Sequence, residues 1–353
     1  MSTIDTLTLI HSDLTDDLQS ILETLWAFVP ARVLSCAIEA GLLEAFGDGG
    51  REVLSVADVA HRIGWSLRPT RVALGLLSKV GVIRLVGDSV ALTPKGIKWF
   101  SHGSSFYLPH YFDRCKRLEL AYRDLSDVLR TDRPNQTMLA HTKAAFGLDS
   151  SATKDFVLTM HAAASEFGPA VVANVKSLVS QDRQLRVLDV GCGPATLSIL
   201  LATAFPLARI NAFDLPGVAD LAKAYIAEIS MDKTISVTTA DWNEWSWENG
   251  THDLVLLSQV LHEATPHEAH ELFLSASLAV RTGGFLVVVI VGDATVPGGD
   301  NLHRLFAMNM LVETGGDNTT HEWMHQMELE SGLKRVRFTA IRGGRSLWIG
   351  QKG

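Results

Sequence analysis

Cysteine is scarce: the 353 residues hold three, Cys36, Cys115 and Cys192, and no CxxC pair. That excludes a disulfide framework, fits a reducing compartment and leaves no cysteine-based zinc site. Positive charge is the minority sign, with 31 Lys and Arg against 39 Asp and Glu and a net charge of −8. Such a chain lacks the positive surface that general nucleic-acid binding needs. The first basic residue is Arg32, too late for the charged start of a signal or transit peptide. Long apolar runs are missing as well. Phe285–Val291 (FLVVVIV) is a buried-strand run, because a membrane helix needs about 20 apolar residues. No internal repeat is present. The expectation is a cytoplasmic protein that engages neither nucleic acid nor membrane.

What is present is globular. Hydrophobic residues make up 47% and charged residues 20%, which excludes disorder as a description of the whole chain. The length suggests about two domains. In the first hundred residues, Ala31–Phe46 has helical apolar spacing, and Ser55 is placed to cap a helix closed by Gly64. A second helix runs to about Lys79, and Gly87-Asp88 joins two β-rich stretches, Val82–Val86 and Ser89–Leu92. Helix, turn, helix and hairpin predict a winged helix. Such a unit reads DNA or packs against a partner; few basic residues favour the packing role.

Residues 106–180 read as a helical linker. From about 185 apolar strands alternate with helices, which predicts a parallel sheet covered on both faces. Strands are expected at Arg186–Val190, Arg209–Phe213, Ser236–Thr239, Leu254–Ser258 and Phe285–Val291. An antiparallel pair, Arg335–Thr339 and Ser346–Ile349, follows.

The sharpest local signal is Val187-Leu188-Asp189-Val190-Gly191-Cys192-Gly193-Pro194-Ala195. A strand ends, a glycine turn follows and a helix begins. Gly191 and Gly193 let backbone approach a ligand, and open α/β sheets bind ligands at strand carboxyl ends. The dinucleotide fingerprint needs a third glycine where this chain has Thr196, which weighs against NAD or FAD. The next strand ends at Asp214, an acid able to accept both hydrogens of a ribose diol.

These stretches, with FDLPGV, ADW, HDLVLLSQVLHEATPHEA, RTGGFLVV and the later GG…T..EW pattern, resemble the S-adenosylmethionine-dependent methyltransferases. The chain looks most like the small-molecule O-methyltransferases that include the hydroxyindole, caffeate and bacterial polyketide enzymes. The resemblance implies a Rossmann-like α/β fold with a seven-stranded sheet and an N-terminal all-α/winged-helix dimerisation domain. It sets domains at 1–105 for dimerisation, 106–180 for a linker reaching the substrate pocket, and 181–353 for cofactor binding. It implies S-adenosyl-L-methionine as cofactor, a small-molecule acceptor and a homodimer. Asp189, Gly191 and Gly193 would shape the methionine site, Asp214 and Leu215 the ribose site, and Asp241 and Trp242 the adenine site. Ser258 would lie beside the sulfonium, and His262 falls on the family's catalytic histidine.

Methyl transfer needs a nucleophile held in line, and a histidine can take the proton of a hydroxyl as transfer proceeds. The family places acids around this histidine. Here Asp293 falls on the first of those positions and Asn318, an amide, on the second. That leaves room for a more acidic acceptor, for carbon or nitrogen methylation, or for a relative that binds the cofactor and does non-methyl chemistry on the same fold. Phe156, Met160, Phe306, Asn309 and Met310 would line a flat, apolar acceptor pocket. No metal is expected: HEATPHEAH misses the HExxH zinc spacing by one residue, with Pro266 between.

Overall fold

The structure is a computed structural model that describes residues 13–101, 104, 106–146, 151–292 and 299–353. The chain divides into two compact units, Met1–Pro109 and His110–Gly353. The helical stretch expected as a linker therefore belongs, from His110 onward, to the second unit.

The first unit carries α1 (Asp13–Leu25), α2 (Phe28–Glu39), β1 (Leu54–Ser55), α3 (Val56–Ile63), α4 (Leu67–Val80), β2 (Ile83–Val86), β3 (Ser89–Leu92) and α5 (Pro94–Phe100). The helix expected over Ala31–Phe46 starts earlier and ends at Glu39, and Glu44–Phe46 is a separate 3-10 turn. Gly41, at φ +69°, stands in the break, a conformation that costs glycine little. Ser55 caps α3 through a capping box with Asp58, and Gly64 ends it in the left-handed conformation. The hairpin β2–β3 is joined by β1 into a three-stranded antiparallel sheet.

In the second unit come α6 (Phe112–Ala121), α7 (Leu125–Thr131), α8 (Gln136–Phe146) and α9 (Ser151–Lys176). The alternating part follows: β4 (Arg186–Val190), α10 (Thr196–Ala204), β5 (Arg209–Asp214), α11 (Pro216–Glu228), β6 (Ile235–Thr239), β7 (His252–Ser258), α12 (Pro266–Ala279) and β8 (Val280–Val291). The last elements are α13 (Gly299–Glu313), α14 (His321–Ser331), β9 (Leu333–Ile341) and β10 (Arg345–Lys352).

The seven strands lie in the order β6-β5-β4-β7-β8-β10-β9. β4 to β8 pair in parallel, while β10 runs antiparallel to both β8 and β9. Side-chain alternation sends each strand into two cores. Val187, Ile210, Leu254, Leu256 and Val287 meet Phe167 and Leu201 on one face. Leu188, Phe213, Val255, Leu257 and Val288 meet Leu272 and Phe273 on the other. Burial on both faces explains why these strands read as continuous apolar runs rather than alternating ones. It also leaves only the strand ends for chemistry. The chain leaves β4 toward β5 on one side and returns to β7 on the other. The resulting crevice at the carboxyl ends is a topological switch point.

Candidate active site

The glycine loop after β4 is held by its neighbours' backbones. The Cys192 amide donates to the Phe213 carbonyl at 3.1 Å, and the Gly193 amide to Asp214 Oδ2 at 2.8 Å. Gly191 sits at φ +60°, and a Cβ there would stand 2.5 Å from Val260 Cγ1. That position therefore requires glycine for both backbone and space. Asp214 Oδ1 accepts from its neighbour's amide, Leu215, at 2.7 Å. Burial pushes the Asp214 carboxyl up to about 6, with the two amide bonds opposing. Asp189 is 1% exposed and takes a hydrogen bond from Ser198 at 2.6 Å. Burial raises it to about 7, the Ser198 bond opposes and the nearby Asp214 adds.

Beyond β6, Asp241 Oδ1 accepts from the Asn243 amide at 2.9 Å. Trp242 lies partly buried against the second core, and its indole N–H has no partner. A buried donor without a partner is costly unless a ligand satisfies it. Trp245 stacks on Phe213, ring centres 4.2 Å apart, which stiffens the wall of the same crevice. Ser258 is the last residue of β7 and is half-buried.

The other half of the crevice is built around His262. It lies in a short 3-10 turn, Leu261–Glu263, just past β7, and is 6% exposed. Phe306 of α13 stands edge-on to the imidazole at 4.6 Å. Burial, then the charges of Arg114 and Arg345, push His262 down to about 3, so the ring is neutral at physiological pH. Its Nε2 is 3.6 Å from Glu263 Oε1. The other Glu263 oxygen, Oε2, is buried with no hydrogen-bond partner. Burial and the neighbouring Glu313 raise Glu263 to about 7. A Cβ on Gly316 would collide with the His262 carbonyl, so that glycine lets the chain before α14 pass behind the turn.

A buried ion pair closes this side. Arg114 of α6 donates Nε to Glu313 Oε1 at 2.9 Å and an Nη to Oε2, a bidentate fork. Thr142 gives its hydroxyl to Glu313 at 2.9 Å, and Arg114 donates to the Tyr111 hydroxyl at 2.8 Å. α6, α8 and α13 are thereby tied together next to the imidazole.

The placement of the expected residues is uneven. Asp189 in β4, Gly191 and Gly193 in the turn after it, and Asp214 and Leu215 at the end of β5 gather around the glycine turn. Asp241 and Trp242 follow β6 and Ser258 ends β7, at the carboxyl ends of the same sheet. Met160 approaches Gly193, its Cβ lying 4.0 Å from where a Gly193 Cβ would be. Asn309 takes the Tyr122 hydroxyl at 2.7 Å, and Met310 is fully buried at 0% exposure. Phe156 is half-buried on α9. Asp293 lies outside the described residues. Asn318 differs from expectation: its amide nitrogen is 2.5 Å from the Val291 carbonyl and 3.0 Å from His303 Nδ1. It braces the end of β8 instead of the His262 imidazole, and its Oδ1 is buried without a partner.

Glu263, Arg114, Glu313 and Arg345 were missed by the sequence reading. Glu263 is signalled only by its adjacency to His262. Arg114 and Glu313 are 199 residues apart, and no local pattern links them.

Residues 122–334 match the model of the O-methyltransferase domain family, and the chain belongs to that family. Among curated relatives, 3-hydroxy-5-methyl-1-naphthoate 3-O-methyltransferase of Streptomyces sahachiroi is 26% identical, over 87% of this chain and 86% of the relative. Acetylserotonin O-methyltransferase of Bos taurus is also 26% identical, over 88% of this chain and 90% of the relative. Human N-acetylserotonin methyltransferase, solved in complex with SAM, shares the fold with a TM-score of 0.77 at 19% identity, covering 96% of this chain and 98% of that one.

The protein is a methyltransferase of the S-adenosylmethionine-dependent O-methyltransferase family. The residues fit the cofactor: the glycine turn, the Asp214 carboxylate and the unpartnered Trp242 N–H stand at the carboxyl ends of neighbouring strands.

Proposed function

We propose that the enzyme methylates a hydroxyl of a small, largely apolar aromatic acceptor of the secondary-metabolite type, with His262 as general base. The observation that carries this is the buried, neutral imidazole of His262, set just past the cofactor strand β7 and walled by Phe306. S-adenosylmethionine supplies a methyl group on a positive sulfonium, a leaving group already in place. The protein's task is then alignment and proton removal. Gly191, Gly193, Asp214 and Leu215 would hold the methionine and ribose parts, Asp241 and Trp242 the adenine, with Ser258 beside the sulfonium and Asp189 supporting the loop from beneath.

An imidazole pushed down to about 3 is present as free base throughout the physiological range. It is also a weak base, which suits an acceptor whose hydroxyl is already acidic. Phe156, Met160, Phe306 and Asn309 would border the acceptor, and Met310 would support them from the core. Asn318 would act indirectly, through β8 and His303; Asp293 keeps the role that the family resemblance implies.

The same weakness of the base keeps carbon or nitrogen methylation as a second reading. One experiment separates them. Methyl-labelled S-adenosylmethionine is incubated with the protein and a small-molecule extract of the source cells, and the labelled product is read by NMR. An O-methyl shift, abolished in His262→Ala, is expected. A new C-methyl or N-methyl shift would establish the second reading, and unchanged turnover in His262→Ala would remove the histidine from the mechanism.

The assembly we propose is a cytoplasmic homodimer formed through the first unit, a winged-helix-type dimerisation domain, without nucleic-acid or membrane partners. α1, α2 and the turn between them leave Leu18, Leu25, Trp26 and Phe28 between 57% and 64% exposed. Such a patch needs a cover. Leu18–Glu39 is also long and apolar enough to cross a membrane by composition. We read it as the dimer face because the family resemblance places dimerisation there. Light scattering should give a dimer at micromolar concentration; a monomer without detergent would contradict it.

A further inference from the structure

The site holds two guanidinium groups, and they are not equally matched. Arg114 is forked onto the Glu313 carboxylate, charge against charge. Arg345, at the start of β10, has neutral oxygens instead. Its Nε donates to Gln259 Oε1 at 2.7 Å and its Nη1 to the Gly343 carbonyl at 2.6 Å. Its guanidinium carbon lies 4.9 Å over the Phe167 ring. Glu166 and Tyr111 act on it through space, yet burial outweighs them and holds Arg345 down at about 10. Arg345 is half-buried and its hydrogen bonds go to neutral oxygens, so beside Glu166 the guanidinium can still take a further anion.

Position says where that anion belongs. Gln259 follows β7 directly, sits at φ +60° and is fixed by its amide to the Val289 carbonyl at 3.0 Å. A non-glycine residue held there is locally strained, and the Arg345 bond helps hold it. Arg345 is also one of two charges that reach the His262 ring. It therefore stands at the junction of the cofactor strand and the acceptor side.

We propose that Arg345 anchors a carboxylate inside the active site, one carried by the methyl acceptor or by the amino-acid end of the cofactor. A guanidinium matches a carboxylate in shape as well as charge. The carboxylate would also offset the smaller of the two charges that, after burial, depress His262. The inference rests on the methyltransferase reading of the site.

The test uses calorimetry on the full-length protein with two matched pairs of ligands. One pair is S-adenosylhomocysteine and its analogue lacking the carboxyl group. The other, added to protein saturated with S-adenosylhomocysteine, is 3-hydroxy-2-naphthoate and 2-naphthol. The wild type should prefer the carboxylate member of one pair by about tenfold or more, and Arg345→Gln should erase that preference. Which pair carries it identifies the source. No preference in either pair, or a preference that survives in folded Arg345→Gln, overturns the proposal. Should Arg345→Gln not fold, the Arg345 Nε–H resonance of the wild type decides. It must shift with the carboxylate ligand and stay still with its partner; no shift overturns the proposal. Failure of the wild type to bind S-adenosylhomocysteine at all would sink the methyltransferase reading itself, a result distinct from the others.

Discussion

The two halves of the crevice share one sheet edge but are built by different means. The cofactor half is made of backbone: a glycine loop whose amides bond Phe213 and Asp214, with carboxylates delivered by the ends of adjacent strands. The half proposed to take the acceptor is made of side chains from distant helices, held by the Arg114–Glu313 fork and packed on Phe306. Backbone construction fixes geometry tightly and tolerates little change of residue. Side-chain construction leaves the pocket free to vary while the transfer chemistry stays constant. The difference predicts which changes disable cofactor binding and which disturb only the acceptor side.

The largest effect should come from the fork. Glu313→Gln strands a buried guanidinium, and removing one partner of such a pair costs about 3–5 kcal/mol. Calorimetry should show a lowered melting temperature; an unchanged one would mean that the fork does not organise the acceptor half. Gly191→Val should come next. It forces a β-branched residue to φ +60° against Val260, and strain of this kind costs about 1–3 kcal/mol. If the loop shifts to relieve that strain, binding of S-adenosylhomocysteine should fall by about fivefold to about a hundredfold, since about 1.4 kcal/mol is tenfold. Retained affinity would show that the loop holds its position.

A smaller effect concerns pH and separates the two acids of the cofactor half. Asp214 titrates near 6, and a diol prefers the ionised acceptor. Affinity for S-adenosylhomocysteine should therefore weaken as pH falls through 6, and Asp214→Asn should flatten that dependence while weakening binding overall. Asp189 acts on stability instead. Its carboxyl is raised from 3.8 to about 7, so the folded state keeps a proton that the unfolded chain has lost. The stability it contributes is present below about pH 4 and disappears as pH rises through 7. Asp189→Asn should reduce the fall in melting temperature between pH 5 and pH 8; an unchanged slope would place the titration elsewhere.

The same division decides what the sequence disclosed. Asp189, Gly191, Gly193 and Asp214 were legible because strand, turn and helix follow one another in the chain, and the alternation of apolar strands with helices gave the sheet. The terminal pair β9–β10 was legible too, though longer in the structure than its apolar centre suggests. Arg114, Glu313 and Arg345 left no trace, since each meets the site only through tertiary packing. Asn318 shows the same limit: alignment places a residue along the chain but not the direction of its side chain, whose amide nitrogen here turns toward Val291 and His303.

The most direct measurement is the affinity for S-adenosylhomocysteine, by calorimetry, in the wild type, Asp214→Asn and His262→Gln, alongside labelled methyl transfer in each. The account predicts that Asp214→Asn loses about tenfold or more in affinity. His262→Gln should bind as the wild type does and fail to transfer. Loss of cofactor binding in His262→Gln, or its retention in Asp214→Asn, would contradict the division of the site into a backbone-built cofactor half and a side-chain-built acceptor half.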